Sequence, residues 1–205
     1  MIVTIGRQHG SGGHDIARAL AQELGIPCYG KEIVDEAARC SNLCREVVEN
    51  FDEKRVTAFI GNEPHFFSLS EGFGLNIQAA SAQFEAIRSL AERGDAIFVG
   101  RCADYVLRER EDLLRVFVMG ALPRRIETVM ARYSLGEEQA KKLIREVDKD
   151  RSSFYRYYTD QLWGEAENYD LCIDSGRIGT LGTVQVIVSC LRARGLVRAG
   201  EGSGT

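Results

Sequence analysis

The sequence predicts an α/β fold, a parallel β-sheet with helices on both faces. Three observations carry that prediction. Short runs that are apolar throughout, such as Ala96-Ile97-Phe98-Val99 and Leu114 to Met119, fit strands covered on both sides, because a strand with one wet face would alternate. Between them lie longer stretches with apolar residues three and four apart, the spacing of a helix with one buried side. The N-terminal run Ile2-Val3-Thr4-Ile5 also passes through a glycine-rich turn, Gly6 to Gly13, directly into a helical pattern.

Taken in order, residues 15–24 form the first predicted helix, with apolar positions 16, 17, 20, 21 and 24, and Gly25 ends it. Ile26 to Tyr29 is a short extended piece. Lys31 to Cys40 returns to helical spacing, and residues 41–60 continue it around Val47, Val48 and Phe51. Residues 61–76 hold Pro64, adjacent Phe66 and Phe67, and three glycines, so they are expected to form an irregular loop of the kind that often serves as a lid. Ile77 to Arg93 is an alanine-rich helix. The strand at 96–99 ends at Gly100, a short helix is expected over 101–110, and Leu114 to Met119 is the next strand. Pro123 marks a helix start running to about Tyr133. Ser134-Leu135-Gly136-Glu137 fits a capping box that opens a long charged helix toward Tyr158. Tyr169 to Asp174 is the last strand. Thr180 to Arg194 is the last helix, with Leu181, Val184, Ile187, Val188 and Leu191 inward.

Composition bounds the function. At 205 residues, 44% hydrophobic and 27% charged, the chain is long enough for one domain with a real core. A formal charge of −4 argues against a general nucleic-acid binder. No apolar run is long enough to span a bilayer, and the N-terminus enters a strand without a signal-like segment, so a cytoplasmic protein is expected. Six cysteines (28, 40, 44, 102, 172, 190) lie mostly in apolar patterns and are expected as reduced core thiols. Cys40 and Cys44 would share a helix face, but no second pair stands at metal-ligand spacing.

Ligands of parallel sheets bind beyond the carboxyl ends of the strands, where the glycine turn, Gly100-Arg101 and the segment after Met119 all belong. Free backbone N–H groups at a helix start, beside glycines that allow close approach, make an anion site; the same turn could also need glycine only for its backbone angles. Three loop templates compete. The dinucleotide fingerprint fits Gly10 and Gly12 but sets Asp15 where the third glycine belongs. The esterase elbow fails because His9 precedes Gly10. The phosphate-binding P-loop keeps its cradle from Gly6 to Gly12 but has Gly13 in the lysine position, followed by His14. Arg7 and His14, on either side of the turn, are candidates for the missing charge. Asp15 could meet a Mg²⁺ through water or simply favour the helix dipole.

The run TIGRQHGSGGHDIARALAQELGIPCYGKEIV resembles the opening of the cytidylate-kinase-like family, a branch of the P-loop nucleoside monophosphate kinases. The likeness extends to FVGRCADYVL, ALPRRIETVM and KKLIREVDKDRSSFYRYYTDQLWGEAENYDLCIDSGRIG, so it covers nearly the whole chain, with residues 50–80 weakest. A Gly-Gly pair followed by a basic residue is usual in this branch. The resemblance implies a P-loop kinase-like sheet in one domain over 1–197, a helical acceptor-binding segment over about 31–93 and a lid over about 134–165; the small, polar end of the chain is expected as a flexible tail at 198–205. It implies ATP and Mg²⁺ as cofactors and nucleotides as partners, with neither nucleic acid nor membrane. Gly6, Gly10, Ser11, Gly12, Gly13 and His14 would hold the donor phosphates.

Residues 101–156 contain 13 of the 26 Lys and Arg residues, with ten acidic ones among them. Arg145, Asp148 and Arg151, three apart, are expected on one helix face. As a charge run they would be a solvated helix with internal ion pairs. By resemblance Arg145 and Arg151 are catalytic cations on the phosphates and Asp148 orients the acceptor or an arginine; Arg7 joins the catalytic set from its place beside the glycine turn. Arg101 matches the arginine of the family's DGRD segment, which implies a contact with the acceptor phosphate; Val99 and Cys102 replace the two aspartates, and a helix-capping arginine is the alternative. Phe154, Tyr155, Tyr157, Tyr158 and Trp163 could stack on a base or pack the lid. His65, Phe66 and Phe67 fall where the acceptor is expected. The activity implied is ATP-dependent phosphorylation of a nucleoside monophosphate, CMP or dCMP by family. The alternatives are a kinase of another small acceptor and a nucleotide-binding protein that does not catalyse transfer.

Overall fold

The computed structural model describes residues 1–41, 43–50, 52–53 and 66–197. Five strands, β1 (Ile2–Arg7), β2 (Cys28–Tyr29), β3 (Ala96–Val99), β4 (Leu113–Met119) and β5 (Leu171–Asp174), form one parallel sheet in the order β2-β3-β1-β4-β5. β1 is central, with Ile5 beside Val99 of β3 and Val116 of β4. From β1 the chain goes to the sheet edge at β2, returns to β3 beside β1, and then crosses to β4 and β5 on the other side, so the crevice beyond the carboxyl end of β1 is the topological switch point. The glycine turn opens there.

Eight helices accompany the strands among the described residues: α1 (Gly13–Leu24), α2 (Glu32–Cys40), α3 (Arg45–Asn50), α4 (Phe66–Glu92), α5 (Ala103–Val106), α6 (Leu122–Tyr133), α7 (Glu137–Thr159) and α8 (Ser175–Ala193). Successive strand residues point to opposite faces, so the sheet has two cores. Val3, Ile5, Ile97, Leu114 and Val116 pack under α1 and α8, against Ile16, Leu20, Ile187 and Leu191. Ile2, Phe98 and Leu113 face the other way, against Ile33 of α2, Ile87 and Leu90 of α4, and Ala103 of α5. Each large side chain buried this way contributes about 1.5–3 kcal/mol.

Five expectations need correction. Residues 66–76 are not loop but the first turns of α4, a helix of 27 residues that packs on α2. Gly72 and Gly74 cost about 1 kcal/mol each there relative to alanine, a penalty that tertiary contacts override. Ser134 does not cap α7. It ends α6 in the left-handed conformation (φ 53°), while Gly136 starts α7 and donates its N–H to Gln139 Oε1 at 3.1 Å. Leu181 is 75% exposed rather than inward: α8 breaks at Gly179 (φ 69°), and Leu181 stands in the turn after the break. Of the six free cysteines Cys102 is buried and Cys28, Cys172 and Cys190 are half-buried, but Cys40 and Cys44 are exposed, at the end of α2 and before α3. The helix expected over 101–110 shortens to α5, and Phe51, residues 54–60 and the tail 198–205 lie outside the described residues.

Candidate active site

Leaving β1, the chain turns through Gln8 to Gly12 with Gly10 and Gly12 at φ 81° and 77°, a region costly for any residue with a Cβ. Gly6 is still within β1. The turn is pinned at several points. Gln8 N–H donates to Val118 O (3.0 Å), Gly120 N–H donates to Gln8 Oε1 (3.1 Å), and Ser175 Oγ donates to Ser11 O (2.6 Å). Ser11 Oγ donates to Gln8 O (2.8 Å). Gly12 precedes α1 without a side-chain cap, so the first N–H groups of α1 meet no capping side chain. At Gly13 a Cβ would stand 2.5 Å from Arg7 Cβ. The Arg7 side chain thus fills the space over the position where a P-loop carries lysine.

Three arginines from three elements meet at the turn: Arg7 at the end of β1, Arg101 after β3, and Arg151 on α7. All are largely buried, at 13%, 5% and 14% side-chain exposure. They converge on an acidic pair, Asp52 and Glu53, just beyond α3. Arg7 Nη1 and Nη2 donate to the two Glu53 oxygens (2.5 and 2.8 Å), and Arg151 Nε lies 3.4 Å from Oε2. The Arg101 N–H donates to Glu53 Oε1 (3.0 Å), while its guanidinium bonds Asp52 Oδ2 (2.5 Å) and Val99 O (2.9 Å). Burial alone would raise the Glu53 carboxyl, but the guanidiniums of Arg7, Arg151 and Arg101 hold it far below the usual carboxylate range. Arg101 Nε and Asp52 Oδ1 are buried without a hydrogen-bond partner.

These side chains line a cleft of about 370 Å³ together with Gly10, Gly12, Gly13, His14, Lys31 and Arg132. The glycine turn stands between this cleft and a second cavity of about 210 Å³, lined by Ser11, Asp15, Arg124, Ser175 and Thr180; Gly10, Gly12 and Thr128 border both. His14 faces the larger cleft and burial lowers its pKa. Asp15 pairs with Arg132.

Asp148 and Arg145 part company. Asp148 Oδ1 accepts the His9 N–H (2.7 Å), and Oδ2 pairs with Arg125, whose Nε donates to His9 O (2.8 Å). The His9 peptide is gripped on both sides. Arg145 is exposed and lines neither cavity, since a spacing of six residues leaves it well round the helix from Arg151. Phe154, Tyr155, Tyr158 and Trp163 pack with Ala80 and Cys102 into a small core, while Tyr157 is exposed. His65 and the side chains of Phe66 and Phe67 lie outside the described residues. Sequence reasoning missed Asp52, Glu53, Arg125 and His9. ALPRRIETVM offers Arg125 only as one of two adjacent arginines, and nothing local singles out an Asp-Glu pair at a helix end.

The profile of the cytidylate kinase-like family matches residues 2–177. The chain belongs to that family. A cytidylate kinase of Methanothrix thermoacetophila is 28% identical over 196 residues, spanning 94% of this chain and 99% of the relative. Among solved structures, an uncharacterized protein from Eubacterium ventriosum has a TM-score of 0.73 at 27% identity, covering 94% of this chain and 99% of that one. Shikimate kinase from Bacteroides thetaiotaomicron, at 13% identity over 94% and 98% of the two chains, has a TM-score of 0.56 and shares the P-loop kinase fold.

In this cytidylate kinase-like chain a buried polar group lies beneath the arginines. Asp104 accepts from Tyr155 Oη (2.7 Å), and burial pushes its carboxyl up to about 6. Burial likewise lowers His9, with Arg151 adding to it, to about 4. His9 is therefore neutral at pH 7 and stacks on Tyr133 at 5.9 Å. No group of three His, Cys, Asp or Glu side chains that could hold a metal occurs among the described residues, and no helix there is long and apolar enough to cross a membrane.

Proposed function

We propose that this protein transfers the terminal phosphoryl group of ATP to a nucleoside monophosphate, with CMP or dCMP as acceptor. The observation that carries the reading is the glycine turn standing between two cavities, with Arg7, Arg101 and Arg151 converging on the larger. Phosphoryl transfer asks a protein for alignment of two phosphates and compensation of charge, and little covalent chemistry. The smaller cavity takes the donor nucleoside. Backbone N–H groups of Gly10, Ser11, Gly12 and Gly13, at the start of α1, hold the donor phosphates, with His14 at the edge.

Arg7, between the glycine turn and Arg101, supplies the cation that lysine provides in the common loop and also faces the acceptor phosphate. Its planar fork reaches two oxygens at once, whereas ammonium acts as a point charge. Arg101 receives the acceptor phosphate and Arg151 spans donor and acceptor. Asp148 acts as a positioning residue by fixing the His9 peptide. Arg145, outside both cavities, takes no part in this assignment. Mg²⁺ fits as an ion carried mainly by donor phosphates and water, its usual mode in kinases, since Asp15 is engaged with Arg132; when bound it neutralises phosphate charge.

The test is a coupled ADP-release assay of the purified protein against the common ribo- and deoxyribonucleoside monophosphates. Turnover with CMP or dCMP above the others is expected. No turnover with any of them overturns the proposal, and ATP raising the melting temperature without turnover would identify a nucleotide-binding protein instead.

A further inference from the structure

The larger cleft holds one of the chain's own carboxylates at the point where its donors meet. Both oxygens of Glu53 are occupied: Oε1 by Arg7 Nη1 and the Arg101 N–H, Oε2 by Arg7 Nη2 and, more loosely, Arg151 Nε. A forked guanidinium, a second guanidinium and a backbone N–H from three separate elements form a donor set suited to a phosphoryl group. Three consecutive left-handed residues, Gly100, Arg101 and Cys102, shape the turn that supplies the backbone donor. A side chain at Gly100 would collide with the Glu53 carboxylate and the Arg7 guanidinium, so the turn is shaped to admit an anion there. Glu53 itself sits at φ 50°, a conformation that a non-glycine residue holds only when its contacts impose it. It lines the open cleft and therefore has a way out. Asp52 is paired separately with Arg101, so Glu53 can leave without stripping that arginine of its carboxylate.

We infer that Glu53 is an internal ligand of the acceptor-phosphate site and a specificity-determining residue, which an incoming phosphate must displace. The inference rests on the reading of this cluster as the receiver of a phosphate. A tethered carboxylate competes at an effective concentration on the order of millimolar, so a free carboxylate of equal charge gains nothing by exchange. A phosphate dianion, with more charge and a third oxygen, does gain. Apparent affinity falls in proportion to the fraction of sites left free, so Glu53 filters for phosphorylated acceptors at the cost of affinity.

Titration calorimetry of the full chain with inorganic phosphate tests this. Glu53→Gln, neutral and nearly isosteric, is expected to bind phosphate roughly tenfold more tightly than the parent. Adding Arg7→Gln, which removes the two closest side-chain donors to Glu53, is expected to remove most of that gain. Equal or weaker phosphate binding by a folded Glu53→Gln protein overturns the inference. So does a gain that survives Arg7→Gln, because the phosphate would then not sit among the donors that Glu53 occupies. If the Gln variant does not fold, Glu53→Asp, with its shorter arm, is read the same way: tighter phosphate supports the inference and unchanged affinity overturns it. Monophosphate turnover by the parent with no gain in the variants removes this inference alone. A gain in the variants with no turnover by the parent removes the kinase reading alone.

Discussion

At the scale of single residues, the site turns on pairs that compete for one volume or one charge. Gly13 and Arg7 are such a pair, because a Cβ at 13 would meet Arg7 Cβ at 2.5 Å. Gly13→Ala is expected to lose about 1–3 kcal/mol in urea unfolding, the usual cost of overpacking; a change below about 0.5 kcal/mol would show that Arg7 moves aside freely. For the same reason Gly13→Lys would not restore an ordinary P-loop. Asp104 concerns charge. Its carboxyl is pushed up to about 6 by burial, against an ordinary 3.8, so the fold prefers the protonated form. That contribution is complete below about pH 4 and is lost as pH rises through 6, a loss of about 3 kcal/mol by pH 8. Asp104→Asn, neutral throughout, is expected to escape it and gain on the parent as pH rises from 4.5 to 8. Parallel stability profiles would reject this. Arg7 and Arg101 were legible as residues because they flank a glycine turn and follow a strand. Glu53 was not, since its partners are 46 to 98 residues away.

At the scale of elements, the glycine turn does not stand on β1 and α1 alone. α6 and α7 reach it through Arg125 and Asp148, which hold the His9 peptide from its carbonyl and its N–H. The Arg125 side chain is only 7% exposed, so Asp148→Ala leaves a buried cation unpaired and is expected to cost about 3 kcal/mol. Amide exchange at His9 is expected to lose protection in that variant; protection equal to the parent's would mean that the turn is held without α7. Helix periodicity foretold α6 and α7, yet it placed Asp148, Arg145 and Arg151 on one face. The six-residue spacing already turns Arg145 about 120° round the helix from Arg151, and the position of α7 over the cleft decides which of the two faces it. The capping box failed for a similar reason, because Ser134 was already used to end α6.

At the scale of the molecule, two cores on either side of one sheet hold the carboxyl edge in place. Leu114 lies fully buried in the layer beneath α1 and α8, and Leu114→Ala is expected to cost about 2–5 kcal/mol. Leu181, 75% exposed, is expected to change stability by less than about 0.5 kcal/mol on replacement with alanine. Similar costs for both variants would return Leu181 to the core.

The sequence by itself determined the α/β class, the strands, most helices and the glycine turn, because hydrophobic spacing and glycine chemistry act over a few neighbouring residues. The tertiary structure decided the strand order with β1 in the centre. It also set the helical state of residues 66–76, the use of Arg7 beside Gly13, and the meeting of Arg101 and Arg151 with Glu53. These depend on which distant segments share a volume. Burial and charge pairing across the fold set that outcome, and local propensity carries no record of it.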